Sequence, residues 1–368
     1  MFDVVIIGAG VIGLSIARSL AEKTSLTALI IEKEESYGRE TSSRNSEVIH
    51  SGIYYEKNSL KLKHCLDGKR LLYNYCKDNN IWFNNCGKLI IANNSQIDSL
   101  EALFKKAKEN GLDDVHEMNK KEIQKIEQNI IADNALYIKS TGILSSHDLM
   151  TSFYIKSKNK DHDYLFKSKV VDVKQLTEGY ELAISNPNGE IEKLNSKWVV
   201  NSSGLESGII SQMLSENSPK LRYSKGSYFK LSSKWRNKFK RLIYPLPDSK
   251  NGSLGIHLTI DKTAEAKLGP DAEWINFNKI DYSVNKNSMM KFFDEGARYL
   301  KNLKVEDLTP DYSGIRPKIY DKKNVFPDFY IQHEEKNGYP GWINLIGIES
   351  PGLTASISIG NEISSIIS

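Results

Sequence analysis

The first apolar run of the chain, Val4-Val5-Ile6-Ile7, is β-branched throughout, with no polar position to mark a solvent face. Such a run predicts a strand buried on both faces, as in a parallel sheet. It enters Gly8-Ala9-Gly10-Val11-Ile12-Gly13, after which Leu14 to Lys23 reads as a helix. A second buried strand, Thr27 to Ile31, ends at Glu32. One complete strand–helix–strand unit is therefore in place within the first 32 residues.

Further along, Lys88 to Ala92 predicts a strand and Ser95 to Asn110 an amphipathic helix. Val170 to Val173 and Tyr180 to Ser185 have the pattern of antiparallel strands, the second followed by the turn Asn186-Pro187-Asn188-Gly189. Trp198 to Asn201 is another buried run, leading through Ser202-Ser203-Gly204 into a helix from about Ser207 to Leu214. From Tyr228 to Ile260 short strand-like runs alternate with Pro, Gly and Asn turns, and Ser288 to Leu300 is helical. Trp342 to Ile348 predicts a last strand, with Glu349-Ser350-Pro351-Gly352 turning into a helix that ends near Ile367. Parallel-sheet character at both ends of the chain brackets a β-rich middle. The expected fold is α/β: a Rossmann-like βαβ nucleotide domain built from 1–85, 145–217 and 315–368. An inserted α+β domain for the substrate, with a mostly antiparallel sheet, comprises 86–144 and 218–314.

Composition adds limits rather than detail. A length of 368 residues favours two domains, and 39% apolar residues suffice for a sizeable core. The formal charge of +4 argues against nucleic acid as a partner. Cys65, Cys76 and Cys86 form no CxxC pair and are expected as buried, reduced thiols. The apolar opening lacks a basic start and a cleavage site, and no run reaches the ~20 residues of a membrane span. These points lead us to expect a cytoplasmic protein without a bound metal.

The glycine motif has a task for each member. Gly8 permits the tight turn, Gly10 lets backbone approach a pyrophosphate, and Gly13 lets helix and sheet pack closely. The helix N-terminus offers free N–H groups to phosphate, and Glu32 is placed to accept both hydroxyls of an adenosine ribose. By itself the motif does not separate NAD from FAD. Beyond Glu32, regular βα units give way to a polar loop, Arg39-Glu40-Thr41-Ser42-Ser43-Arg44-Asn45-Ser46-Glu47, running into Val48 to Tyr55.

Ser42 to Tyr55 resembles the flavin loop of the D-amino-acid oxidase superfamily, and within it most closely the L-2-hydroxyglutarate oxidases and dehydrogenases. The resemblance continues through Cys86-Gly87-Lys88-Leu89-Ile90, Ile243 to Pro247 and Leu254 to Thr259, and closes with Ser313 to Lys318 and Gly347 to Thr354. Two positions depart from it. Arg44-Asn45-Ser46-Glu47 stands where those enzymes typically carry His-Asn-Ser-Gly, and is more like glycerol-3-phosphate dehydrogenases of the superfamily. Lys225-Gly226 stands where many relatives have Arg-Gly.

The resemblance implies FAD as cofactor and oxidation of a small 2-hydroxy acid to the 2-oxo acid, with flavin N5 as hydride acceptor. Glycerol 3-phosphate or an amino acid as substrate, or a flavin-binding subunit without turnover, are the alternatives. It places Lys33, Ser42, Ser43, Arg44, His50, Ser51 and Gly52 at the cofactor. Val171, Gly204 and the turn Gly352-Leu353-Thr354 join them, the last on the N1–C2=O side of the flavin. Arg316 is implied over the flavin, where its planar fork matches a carboxylate. His257 and His50 are the candidate proton acceptors. Tyr244, Lys225 and Lys318 are candidates for holding substrate, the lysines at a second carboxylate. Tyr54 and Tyr228 are weaker candidates for the same pocket. The electron acceptor, a quinone or O₂, is left open.

One basic stretch stands apart. Between Asn217 and Pro247 there are nine Lys or Arg residues and no acid. Within 230–242, Trp235, Phe239 and Leu242 fall on one face of a helix, which would suit peripheral contact with the inner face of a membrane. Lys234 to Lys240 also alternates with period two, so a solvated hairpin is equally allowed.

Overall fold

The computed structural model describes residues 1–246, 255–320 and 327–368. Strand β1 (Phe2–Ile7) leads into helix α1 (Val11–Lys23) and then strand β2 (Ala28–Ile31), as the opening pattern predicts. β2, β1 and Ile191–Asn201 lie parallel side by side, flanked by Asp163–Leu165 on one edge and Trp342–Ile346 on the other. Val4 and Ile6 face one core cluster while Val5 and Ile7 face another, so β1 is apolar at every position because both faces are covered. Helices α1, Ser146–Lys158 and Gly352–Ile367 cover the first face. The antiparallel pair Lys169–Gln175 and Tyr180–Ser185 and the helix Ser207–Gln212 contribute Val170, Val173, Leu182 and Ile210 to the second.

A second sheet is mostly antiparallel. Leu221–Leu231 pairs along its length with Leu308–Ile319, and the order continues through 266–268, 258–260, 242–245, 88–92, 134–138 and 115–119. One pair, Leu242–Pro245 with Lys88–Ala92, runs parallel. The strand Leu308–Ile319 belongs to this sheet over its full length, so a domain boundary at 315 would cut a strand. The sheet places that change of layer after Ile319. Residues 247–254, part of the alternating stretch expected from Tyr228 to Ile260 and including Pro247 and Leu254, lie outside the described residues.

The helix Leu60–Asp78 is absent from the expected elements. Lys61 and His64 are buried on its inward face and Gly68 interrupts it, so its apolar stripe is broken in sequence. A Cβ at Gly68 would collide with the carbonyl oxygen of Thr354, so glycine lets this helix touch the start of Gly352–Ile367.

The basic stretch does not form the helix on which membrane contact was based. Ser233–Trp235 is a single 3-10 turn, followed by turns and bends and then the strand Leu242–Pro245. Trp235, Phe239 and Leu242 are buried in the core beneath the second sheet. Lys230, Lys234 and Arg241 pair with Glu265, Asp307 and Glu127. An interfacial face loses its apolar anchor when those three side chains point inward. No described helix is long and apolar enough to cross a membrane. All three cysteines are buried free thiols.

Gly68→Ala should lower stability by about 1–3 kcal/mol, the usual cost of forcing extra volume into a packed contact. Denaturant unfolding of the two proteins measures the difference.

Candidate functional site

A cleft opens at the carboxyl ends of β1, β2 and Ile191–Asn201, where parallel sheets bind nucleotides, and crosses to the face of the second sheet. It contains about 1790 Å³ of space, part of it continuous with solvent.

At its nucleotide end Gly8 has φ +98°, and a Cβ there would meet the carbonyl oxygen of Ser202 at 2.7 Å. Gly13 lies behind the cleft, pressed against the Gly8 carbonyl, so its role in close helix–strand packing is visible. α1 has no side-chain cap from Gly10. Ser42 Oγ, from the polar loop, accepts from Val11 N at 2.9 Å instead. Glu32 is nearly buried. Its carboxylate accepts from Ala9 N at 2.8 Å and Glu34 N at 2.9 Å. Burial pushes its pKa up, against those two bonds. Lys33 is paired with Glu40 at 3.0 Å and Glu206 at 2.9 Å, and stays a cation despite its burial.

At the other end Arg316, Tyr244, His257 and His50 converge on the cleft. Arg316 Nη2 donates to the Asp271 carbonyl at 2.8 Å and Ser224 Oγ at 3.4 Å. It has no carboxylate partner among the described residues. His257 stacks on Tyr244 with centroids 3.8 Å apart, and its Nδ1 lies 3.1 Å from the Gly255 carbonyl. An N–H on Nδ1 leaves Nε2 as an acceptor. His50 Nε2 lies 3.1 Å from Ser350 Oγ. Burial, reinforced by the nearby Lys88, pushes both imidazoles down to about 3. Both are neutral acceptors at physiological pH.

Among the sequence-predicted residues, Gly8, Gly10, Glu32, Lys33, Ser42, Arg44, His50, Gly204, Tyr228, Gly352 and Leu353 also line the cleft. The others do not. Ser43 turns away and donates to the Glu40 carbonyl. Ser51 is buried, and Gly52 packs against Leu62 and Leu66. A bulge at Val170/Asp172 turns Val170 into the cleft and leaves Val171 on the surface. Thr354 Oγ1 accepts from His50 N and donates to the Val48 carbonyl, tying the loop to the last helix from behind. Lys225 pairs with Asp281 at 3.5 Å and Lys318 with Glu349 at 2.7 Å, so both are already engaged in ion pairs.

Sequence reasoning passed over Glu349, which lines the cleft and holds both Lys61 at 3.1 Å and Lys318. Burial works against its charge, but the two lysines outweigh burial and keep its pKa low. It also passed over the buried Lys88, whose signal was a lone charge opening an otherwise apolar strand.

The departure at Glu47 has a structural account. Its φ is +58°, a left-handed conformation that glycine adopts freely. The Glu47 carboxylate compensates by accepting from Ser146 N at 2.8 Å and Ser146 Oγ at 2.7 Å, at the start of the helix Ser146–Lys158.

Fold and cleft together define a dinucleotide-binding protein whose cleft runs from the end of a parallel sheet to the face of a second, mostly antiparallel one. The chain belongs to the FAD dependent oxidoreductase family, whose sequence profile matches residues 3–366, and FAD is its cofactor. The chain is 37% identical over 400 residues to the mitochondrial L-2-hydroxyglutarate dehydrogenase of Arabidopsis thaliana, covering 98% of this chain and 82% of that protein. It is 30% identical to the glycerol 3-phosphate dehydrogenase of Caloramator mitchellensis, covering 98% and 72%. Its fold is similar to dithionite-reduced L-alpha-glycerophosphate oxidase from Mycoplasma pneumoniae with FAD bound. That match has a TM-score of 0.89 at 21% identity, over 100% of this chain and 94% of that one.

The residues present fit this cofactor. A Cβ at Gly10 would meet Ser42 Oγ at 3.0 Å, so glycine keeps the approach to the first turn of α1 open. Arg44, on the cleft wall, has a buried Nε with no partner among the described residues.

Glu47→Ala should be less stable than Glu47→Gly by about 1 kcal/mol, because both lose the carboxylate and only alanine keeps the left-handed strain. Thermal unfolding of both variants beside wild type checks the order.

Proposed function

We propose that the protein oxidises L-2-hydroxyglutarate, or a 2-hydroxy acid of similar shape, to the 2-oxo acid. FAD, when bound, supplies the hydride acceptor. The observation that carries the reading is Arg316. Its guanidinium reaches the cleft without a carboxylate partner among the described residues, anchored through one nitrogen to the Asp271 carbonyl. A substrate carboxylate would complete it in two parallel bonds, fixing orientation as well as charge.

The hydroxyl proton then passes to a neutral imidazole of the pair His50 and His257. Both line the cleft, and both remain unprotonated through the neutral range. Glu32, Ser42, Arg44 and the first turn of α1 would hold the dinucleotide. The start of Gly352–Ile367 opens on the same cleft, where its N–H groups favour negative charge.

The reading is tested by anaerobic titration of the holoenzyme with L-2-hydroxyglutarate, glycerol 3-phosphate and amino acids. L-2-Hydroxyglutarate is expected to bleach the flavin spectrum. Bleaching by glycerol 3-phosphate instead would move the assignment to the second relative's substrate class.

Arg316→Lys should retain FAD yet reduce it roughly 100-fold more slowly in stopped flow, since a point charge does not reproduce the fork. Reduction at the wild-type rate with unchanged substrate affinity would remove Arg316 from the site. Of His50→Gln and His257→Gln, the one that removes the base should slow reduction by about 100- to 10,000-fold. Wild-type rates in both would exclude an imidazole base.

A further inference from the structure

Lys88 opens the strand Lys88–Ala92 and is completely buried. Its Nζ has no hydrogen-bond partner among the described residues. It lies over two aromatic rings, 4.8 Å from the Tyr54 centroid and 4.7 Å from that of Tyr244. Tyr244 stacks on His257, and both rings face the cleft. The amine therefore stands one ring behind the cleft wall.

A buried ammonium without a counter-ion is costly, and aromatic faces offset only part of that cost. Lys225 pairs with Asp281, and Lys318 shares the single Glu349 carboxylate with Lys61. A substrate with two carboxylates thus finds Arg316 for one of them and, among the described residues, no unpaired lysine on the wall for the other.

We propose that Lys88 is a specificity-determining charge, acting through the Tyr244 ring to favour 2-hydroxy acids with two carboxylates over those with one. The inference rests on the carboxylate-binding reading above. Lys88 does not touch the substrate. Its ammonium acts through the field, which is strong in a cleft with low-dielectric walls.

The groups facing Lys88 are Tyr54 and His50 from the flavin loop, Cys65 from the helix Leu60–Asp78, Tyr244 from its neighbouring strand, and His257, with Arg316 beyond. Burial raises the two phenols and pushes the thiol up to about 12. The imidazoles lie at about 3. Lys88 itself is pushed down to about 7 by burial. Across the neutral range it is the member of this group that changes charge, cationic below its pKa and neutral above. A bound dianion stabilises the cation, so binding near neutrality takes up a proton and weakens as pH rises.

The test uses oxidised holoenzyme with glutarate, an unreactive diacid, and butanoate, a monoacid, followed by perturbation of the flavin spectrum. In wild type the glutarate Kd should rise about tenfold between roughly pH 6 and pH 9, and the butanoate Kd by less than about threefold. Lys88→Met, close in length and apolar, should keep FAD and hold the weak, high-pH glutarate Kd throughout. Lys88→Arg should hold the tight, low-pH value throughout. A Lys88→Met profile that tracks wild type, or a Lys88→Arg profile that keeps the slope, overturns the proposal while the carboxylate site stands. Failure of glutarate to bind wild type at any pH overturns both.

Discussion

A single buried carboxylate holds the nucleotide end of this protein together. Glu32 stands at the end of β2 and accepts the Ala9 N–H from the glycine turn beyond β1, so the tips of two parallel strands are joined by its side chain. Its other bond, from Glu34 N, turns the chain out of the sheet toward the polar loop. That loop returns Ser42 to the first turn of α1. The geometry of the cleft follows from this closure. A turn as tight as Gly8, a helix pressed on it at Gly13, and a loop that caps the helix all need the strand tips in register.

The substrate end depends on a different constraint, the sharing of buried charge. Lys61, Lys318 and Glu349 form a compact ionic group at the cleft wall, and Lys33, Lys169, Glu40 and Glu206 form another at the nucleotide end. Arg316 and Lys88 are outside these groups. Cations that are already matched carry little specificity for an anionic ligand, because binding would have to break one pair to make another.

Thr354 shows how the far end of the chain joins the same site. Its hydroxyl bridges the backbone of Val48 and His50, so the last helix fixes the loop that carries an imidazole into the cleft. Gly68 lets the helix Leu60–Asp78 close against this point. The site is thus braced by segments separated by some of the longest distances in the chain.

Much of the nucleotide half was legible in the sequence because its signals are local. A β-branched strand, a glycine turn, a helix and an acid lie within one short window, and each residue's task follows from its neighbours. The resemblance carried the flavin and the substrate class, and it named Arg316, His50 and His257, which the fold brings to one cleft. What only the tertiary structure decided was which polar groups are already satisfied. Lys225 and Lys318 read as free cations until Asp281 and Glu349, from other segments, are seen to pair with them. Trp235 and Phe239 read as a membrane-facing stripe until the second sheet is seen to bury them. Lys88 read as the start of a strand, and only the fold shows its amine buried between two aromatic rings with no hydrogen-bond partner among the described residues. Local pattern fixes where the backbone goes, whereas the state of a charge depends on every segment that folds against it.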